Sequence, residues 1–417
     1  MSALGTSKNR DIHVTVDGVT HTYYLRNLLD VSDDALREWS EFCALVFSYK
    51  PHPPPPSYFA RHYRNDPRRD PSLVQVLVHR PDVRDPAGEE PRGEIVASVR
   101  VFRRSLSAGG RTQAGRIEAG GVGEVCTHPR HQRRGLSKLL LKEALAVMPA
   151  YRPEGDGAEA GATMACSLLH AAPAFRPVYS KVGGYRSVCS EWSVVPVRLR
   201  HLSDARRGGG DGEGAWRVRH AEFPEDAVPL QRLYENYSER RLVTVVRSVE
   251  YWRDYISAEV EDKKMWVLTK QQRGDQGGDA RASIVGWICI RRRGDTKYQI
   301  CDFGTSQNDN GNAVSSFWVM EHLLGVALQN AGEQTGSNSE VSLLLPTFVL
   351  LEMTQEMTAK NDDQEKATIF LDVANKMEEH DDGWMYVHFD ESQPSILDLT
   401  ERATDPVPHL IWPIDSF

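Results

Sequence analysis

The stretch Gly120–Met148, GGVGEVCTHPRHQRRGLSKLLLKEALAVM, constrains the fold of this chain more than any other. Val122-Gly123-Glu124-Val125-Cys126-Thr127 alternates in the manner of a strand and is rich in β-branched residues. Pro129 ends it, because a proline ring donates nothing to a ladder. A basic loop follows, Gln132-Arg133-Arg134-Gly135-Leu136-Ser137. A helix is predicted at once, since Leu136, Leu139, Leu140, Ala144 and Leu145 recur at helical spacing with Lys138, Lys142 and Glu143 off that face. A strand that turns through a basic, glycine-containing loop into a helix start makes an anion site. The first N–H groups of a helix lack internal partners, and its dipole makes that end positive. Gly135 lets the backbone come close to an anion, and Arg133 and Arg134 add charge. The plainer alternative is a surface loop with solvated arginines; the strand before it and the amphipathic helix after it favour the anion site.

Gln132-x-x-Gly135-x-Ser137 resembles the cofactor-binding motif R/Q-x-x-G-x-G/A of the GNAT superfamily of N-acetyltransferases, with serine at the last small position. The resemblance implies that Val125, Cys126, Thr127, Gln132, Arg133, Arg134, Gly135, Leu136 and Ser137 hold acetyl-coenzyme A, the loop taking its pyrophosphate. A second segment, Phe175 to Tyr185, resembles the family's Y-x-x-x-G-F/Y, with one extra residue, Gly184, before Tyr185 when Tyr179 and Gly183 are aligned. It implies that Tyr179 is the general acid. Attack of an amine on a thioester expels a thiolate, and a phenol of pKa about 10 can protonate it as it leaves. A core tyrosine with a satisfied hydroxyl is the alternative for Tyr179, and Tyr185 is expected to pack in the core.

At 417 residues the chain suits two or three domains. Its 40% hydrophobic and 26% charged content is that of an ordinary globular protein, and no apolar run approaches a membrane span. No secretory h-region is visible in MSALGTSKNRDIHV. The six scattered cysteines fit reduced thiols of the cytosol or nucleus and show no metal-ligand spacing such as C-x-x-C. A net charge of −8 argues against general nucleic-acid affinity.

In chain order, strands are predicted at His13–Val16 and Thr20–Leu25, and a helix from Asp30 to Phe47. Pro51–Pro56 reads as an extended connector beside an acceptor cleft, or as a proline ligand for a partner domain. Strands are expected at Ser72–His79, Glu94–Arg103 and Gly115–Thr127, then at Thr163–Leu169. A short helix over 172–182 leads to one or two closing strands in Tyr185–Val197. The antiparallel strands feeding a strand–loop–helix match the GNAT order. His201–Gly214 is polar, Gly-rich and aperiodic, a linker.

From Trp216 the order repeats: strand Trp216–His220, helices at 227–237 and after Ser248, strands at Met265–Thr269, Ser283–Arg293 and Lys297–Phe303, helix Ala313–Leu328, strand Val341–Pro346, helices near 348–358 and 368–379, strand Trp384–Phe389. This looks like a second GNAT-like fold. Its counterpart loop, Gly304–Asn312, lacks the motif and carries Asp309, which would repel a pyrophosphate, so this half is expected not to be catalytic. The expected plan is α/β (α+β): two tandem GNAT-like domains, each a mixed, mostly antiparallel sheet flanked by helices. The boundaries are 1–200 for the catalytic domain, 201–215 for the linker, 216–390 for the degenerate domain and 391–417 for a tail. Tandem GNAT chains include Eis-type bacterial acetyltransferases and fungal lysine N-acetyltransferases; Val125–Leu136 and the Tyr179 segment look closest to the Eis type. Too little chain follows 390 for the third domain of that type.

An ammonium must lose a proton before it attacks. The resemblance to Eis-type enzymes implies the terminal carboxylate, here Phe417 at the end of an apolar tail, His409–Phe417; Glu124 and His170 are rivals, and a purely structural tail strand is the alternative. Residues 352–405 are acidic (Glu352, Glu356, Asp362, Asp363, Glu365, Glu378, Glu379, Asp381, Asp382) and could attract a cationic acceptor or simply be solvated. The resemblance thus implies an acetyl-coenzyme A-dependent N-acetyltransferase acting on a primary amine, such as lysine, a polyamine, an aminoglycoside-like amine or a peptide. The alternative is a non-enzymatic sensor that binds acetyl-coenzyme A.

Overall fold

The computed structural model describes residues 10–28, 33–79, 93–107, 115–153, 163–199, 216–238, 241, 243–260, 264–271, 282–306, 314–330, 340–359, 369–381, 383–389 and 411–415. In chain order these form β1 (Arg10–Val16), β2 (Val19–Asn27), α1 (Asp33–Val46), α2 (Pro56–Arg64), β3 (Val74–His79), β4 (Glu94–Ser107), β5 (Arg116–Thr127), α3 (Leu136–Ala150), β6 (Cys166–His170), α4 (Arg176–Gly183), β7 (Arg186–Ser187) and β8 (Ser190–Leu199). Then come β9 (Trp216–His220), α5 (Ala227–Ser238), a π-helical turn Tyr251–Ile256 running into α6 (Ser257–Glu259), β10 (Lys264–Gln271), β11 (Ala282–Arg292), β12 (Lys297–Thr305), α7 (Ser316–Asn330), β13 (Glu340–Pro346), α8 (Thr347–Ala359), β14 (Ile369–Leu371), β15 (Met377–Asp381) and β16 (Trp384–His388).

Two sheets result. The first has the order β1-β2-β3-β4-β5-β6-β16-β7, and the second β14-β8-β13-β12-β11-β10-β9 with β15 also on β8. Each is antiparallel except at one pair, β5 with β6 and β12 with β13. In the first sheet the period of two sorts side chains to opposite faces. Val74, Val76 and Val78 of β3 join Trp39, Phe42, Phe59 and Tyr63 of α1 and α2, whereas Leu77 joins the face on which α3 lays Leu136, Leu140, Leu141, Ala144 and Met148. In the second sheet β12 is buried over nearly its whole length, because helices cover both faces.

The sheets exchange strands. The expectation that Tyr185–Val197 closes the first sheet holds only for the two residues of β7. β8 pairs antiparallel with β13, placing Val195 opposite Leu343, inside the second sheet. The place it leaves is filled by β16, which pairs Trp384 with His170 and Met385 with Leu169. Residues 369–379, expected as a helix, are instead β14, a 3-10 turn at Val373–Asn375 and the start of β15. Pairing with β8 overrides the helix-forming Glu and Met residues there. Backbone hydrogen bonds tie the halves further, Ser107 N to Thr244 O at 2.9 Å and Val246 N to Ser105 O at 2.7 Å. One apolar cluster accordingly runs from Leu106, Ile117, Ala119, Cys166 and Leu168 of the first sheet through the whole second sheet. The linker 201–215, the loop over 307–312 and residues 391–410 lie outside the described residues. Among the described residues no helix is long and apolar enough to cross a membrane.

Candidate active site

The strand Gly120–Thr127 carries an irregularity that shapes everything near it. Across β4 and β5, Arg100 faces Gly123 and Ser98 faces Cys126, so Glu124 and Val125 together oppose Val99. This is a β-bulge, with Glu124 in the left-handed region at φ 51°. On the other edge, parallel pairing of β5 with β6 runs from Ala119/Cys166 to Gly121/Leu168 and goes no further. Beyond it the two strands part, and the edge of β5 from Val122 onward has no neighbour on that side among the described residues. A gap in the ladder therefore lies between the bulge and the end of β6 at His170.

Beyond the bulge the chain enters the loop predicted to take an anion. Gln132 Nε2 donates to Thr127 O at 3.4 Å and closes the loop on the strand. Gly135 is the N-cap of α3 at φ 78°, a conformation that suits glycine, and a Cβ built there would meet nothing within 4 Å. The helix start thus faces open space. Leu136 seats the helix in the core, while Ser137, Val125 and Thr127 are half-buried. Cys126 is buried, with its Sγ 4.0 Å from that of Cys43 on α1. The two arginines diverge. Arg133 is exposed, whereas Arg134 turns back, donating from Nη1 to Tyr23 Oη at 2.8 Å and to His131 Nδ1 at 3.3 Å. Burial first, then His79 and Arg134, push the His131 pKa down to about 4.

Tyr179 lies on α4, the helix that follows β6, half-buried against the α3 face with its ring edge-on to Tyr185 at 6.2 Å. Tyr185 is the core residue expected, its hydroxyl 2.7 Å from Ser167 Oγ. The Tyr179 hydroxyl makes no hydrogen bond among the described residues, and burial pushes its pKa up to about 12.

Of the three candidate bases, Phe417 lies outside the described residues. The tail leading to it is docked: Ile411, Trp412, Ile414 and Asp415 are buried. Asp415 accepts from Arg247 at Nε (3.0 Å) and Nη2 (2.6 Å) and from Tyr251 Oη (3.2 Å), and Arg247 Nη1 reaches Asp302 at 2.7 Å. Burial works against the Arg247 charge, but the two carboxylates overcome it and hold its pKa high.

Glu124 is buried between two basic groups, 3.4 Å from His62 Nδ1 and 3.6 Å from Arg100 Nη1, and His62 Nε2 in turn bonds Tyr255 Oη. Asp66 stands behind this group, 3.0 Å from Arg100 and 3.1 Å from Arg104; burial opposes its charge and the two guanidiniums keep its pKa below the usual carboxylate range. Sequence reasoning missed His62, because it read Pro51–Pro56 as an extended connector and assigned no helix to the residues after it. Pro56 at the first helical turn, with Phe59 and Tyr63 at helical spacing, was the available signal.

His170 closes β6 on the far side of the gap. Its Nε2 lies 2.9 and 3.0 Å from the two oxygens of Asp381, a partner brought by β15, and its Nδ1 makes no hydrogen bond among the described residues. Burial would raise the Asp381 pKa, but His170 and the Gly383 N–H outweigh it and lower it. His170 and Asp381 line a cavity of about 380 Å³ between the sheets. The acidic residues divide accordingly. Glu352 pairs with Arg241 at 3.0 Å and Glu356 accepts from Phe317 N at 2.9 Å, both structural, whereas Glu379 and Asp381 face the cavity. Asp362, Asp363, Glu365 and Asp382 lie outside the described residues.

With this geometry in place, the comparisons with known proteins become decisive. The family model described as an acetyltransferase (GNAT) domain matches residues 29–153, a span that includes the bulge, the loop and α3. Residues 29–153 are thus similar to GNAT acetyltransferase domains. No curated protein matches the chain. Among solved structures, the GNAT fold extends across both halves. A conserved protein of Enterococcus faecalis V583 described as a probable N-acyltransferase is 11% identical with TM-score 0.51, over 91% of this chain and 73% of that one. A GCN5-related N-acetyltransferase from Kribbella flavida is 17% identical with TM-score 0.51, over 90% and 73%. Eis1 from Mycobacterium abscessus aligns more loosely, at 13% identity and TM-score 0.47 over 88% and 73%. At such identities the likeness concerns the fold, and the roles of individual residues rest on the GNAT domain's own geometry.

Proposed function

We propose that the chain is an acetyl-coenzyme A-dependent N-acetyltransferase that moves the acetyl group directly onto a primary amine within a ternary complex. The observation that carries this reading is the Tyr179 phenol: its pKa pushed up by burial, without a hydrogen bond among the described residues, and carried on the helix that follows β6. The residues present fit the cofactor. The open N-terminus of α3 at Gly135 and the exposed Arg133 suit a pyrophosphate, and the unpaired edge of β5 beyond Gly121 suits an amide-bearing arm that needs backbone partners. Arg134, tied to Tyr23, supports the loop from behind.

In the proposed reaction the amine nitrogen bonds to the acetyl carbonyl carbon, the carbon–sulfur bond breaks, Tyr179 gives its proton to the departing thiolate, and the second amine proton returns to the tyrosinate as the amide forms. The amine enters as an ammonium and gives its first proton to His170. Asp381 binds His170 at Nε2 and so leaves Nδ1 as the acceptor. Glu124 suits this role less, since His62 and Arg100 both engage it. A second reading gives the base role to the Phe417 carboxylate, because the tail is anchored through Asp415 two residues before it and Ile411 and Pro413 line the same cavity.

A thiol-release assay over a panel of amines, paired with calorimetry of coenzyme A binding, tests the function. Turnover with at least one amine supports it. Tight cofactor binding with no turnover on any amine would favour the sensor. His170→Gln should lower kcat by roughly 10²–10⁴-fold, and a C-terminal extension should leave it near wild type; the reverse pattern moves the role to Phe417.

A further inference from the structure

The cavity that holds His170 and Asp381 is also lined by two cations. Arg291 and Arg293 of the second sheet line it, and both donate to one neutral oxygen, Gln299 Oε1, each at 2.7 Å. Neither forms an ion pair among the described residues, and the buried Nε of Arg291 makes no hydrogen bond. Two guanidiniums sharing one amide oxygen leave several donors without a charged acceptor, in a part-buried setting where such donors gain most from an anion. Burial and the neighbouring Arg291 charge hold the Arg293 pKa below its usual range, which reflects how close the two cations lie. Glu379 and Asp381 are near enough to favour the Arg293 charge but form no ion pair with it among the described residues; Asp381 is taken by His170 and the Gly383 N–H, and Asp415 by Arg247.

Trp192, Trp384 and Leu344 also line it, an apolar body for a cavity about the size of one small molecule.

We propose that this cavity is the acceptor site and that it selects an amine bearing a carboxylate, an amino acid with an apolar or aromatic body, in place of a polyamine or an aminoglycoside. Arg291 and Arg293 take the carboxylate, Trp192 and Trp384 flank the body, and Asp381 and Glu379 draw the ammonium to the His170 side. This choice of substrate rests on the transferase reading, but the anion subsite stands apart from it and is tested apart.

The test compares matched pairs: tryptophan with tryptamine, phenylalanine with phenethylamine, lysine with cadaverine. Binding is measured by calorimetry without acetyl-coenzyme A, and turnover by thiol release. The carboxylated member of the tryptophan and phenylalanine pairs should bind at least tenfold more tightly and show a higher kcat/KM. The double variant Arg291→Gln/Arg293→Gln should erase that preference while leaving coenzyme A affinity unchanged. Discrimination in binding without turnover on any amine would keep the subsite and remove the transferase reading. Equal or tighter binding of the decarboxylated amines, a preference that survives in the double variant, or inorganic phosphate bound as tightly as tryptophan would each overturn the proposal.

Discussion

Replacing Tyr179 with phenylalanine separates chemistry from packing. The ring sits half-buried against the α3 face and edge-on to Tyr185, so phenylalanine keeps those contacts. The hydroxyl makes no hydrogen bond among the described residues, so stability should change by no more than about 0.5 kcal/mol. Loss of the acid should lower kcat by roughly 10²–10⁴-fold, about 3–5.5 kcal/mol of barrier, with coenzyme A affinity unchanged. The pKa adds a second signature. An acid works only while protonated, and burial pushes this phenol up to about 12. Wild-type kcat should therefore show no fall at pH 9 to 10, where an ordinary tyrosine would already be losing its proton. Tyr185→Phe is the matching control. It loses the bond to Ser167 and should cost about 1–3 kcal/mol of stability with little effect on rate per folded enzyme. Thiol-release kinetics from pH 6 to 11, with urea unfolding of both variants, read all of this. A Tyr179→Phe enzyme within about threefold of wild type, or a wild-type rate that falls with an apparent pKa near 10, would refute the assignment.

Gly135→Asp should reduce coenzyme A affinity by at least about tenfold in calorimetry, through charge at the α3 N-terminus and through the left-handed φ that disfavours a side chain; unchanged affinity would remove the loop from the cofactor site. Asp415→Asn should destabilise by about 3–5 kcal/mol, because Arg247 is left buried with Asp302 alone, and should lower Tm by on the order of 5–10 °C; an unchanged melting curve would show that the tail anchor contributes nothing. His131 is neutral when folded, with its pKa about 4 against an ordinary 6.5, so the unfolded chain takes up a proton first as pH falls. Stability should drop by about 1–2 kcal/mol between pH 6.5 and 4, after allowance for solvent screening, and His131→Asn should flatten that slope in urea melts. A fragment ending at residue 215 lacks β16 and the partner face of Leu106, Ile117, Ala119, Cys166 and Leu168; it should fail to unfold cooperatively in near-UV circular dichroism, and a sharp transition would contradict the strand exchange.

What could be read from the sequence was local. Gly120–Met148 announces itself because its strand, loop and helix each carry their own signal within a few residues, and β5, Gly135 and α3 lie where that pattern put them. The Ser248 cap of the following turn is of the same kind, accepting from Tyr251 N at 3.1 Å. What could not be read depended on distant partners. The alternation in Ser190–Leu199 marks a strand without saying which sheet receives it, and the same holds for Trp384–His388. Met377–Asp381 has helix-forming residues and becomes a strand only because β8 offers an edge. Arg291, Arg293 and Asp381 are ordinary charged residues in sequence; they come around one cavity only because β11, the turn after it and β15 bring them there.

The strand exchange is what makes the acceptor side possible. α3 and α4 of the first half carry the anion loop and Tyr179, all within about sixty residues of one another by sequence, and a GNAT domain needs little more to hold its cofactor. None of those elements supplies a wall opposite His170. By sending β8 into the second sheet and receiving β16 in return, the chain sets Trp384 directly across from His170, and β15 on β8 carries Asp381 to its Nε2. The second sheet then contributes the arginines from β11 and the turn that follows it. The half that carries no cofactor motif therefore furnishes the group that binds the proposed base and the charges proposed to choose the substrate. Because both proposed roles reach the gap through strands woven into the first sheet, changes on that side should retune the proposed acceptor site without disturbing the loop proposed to bind the cofactor.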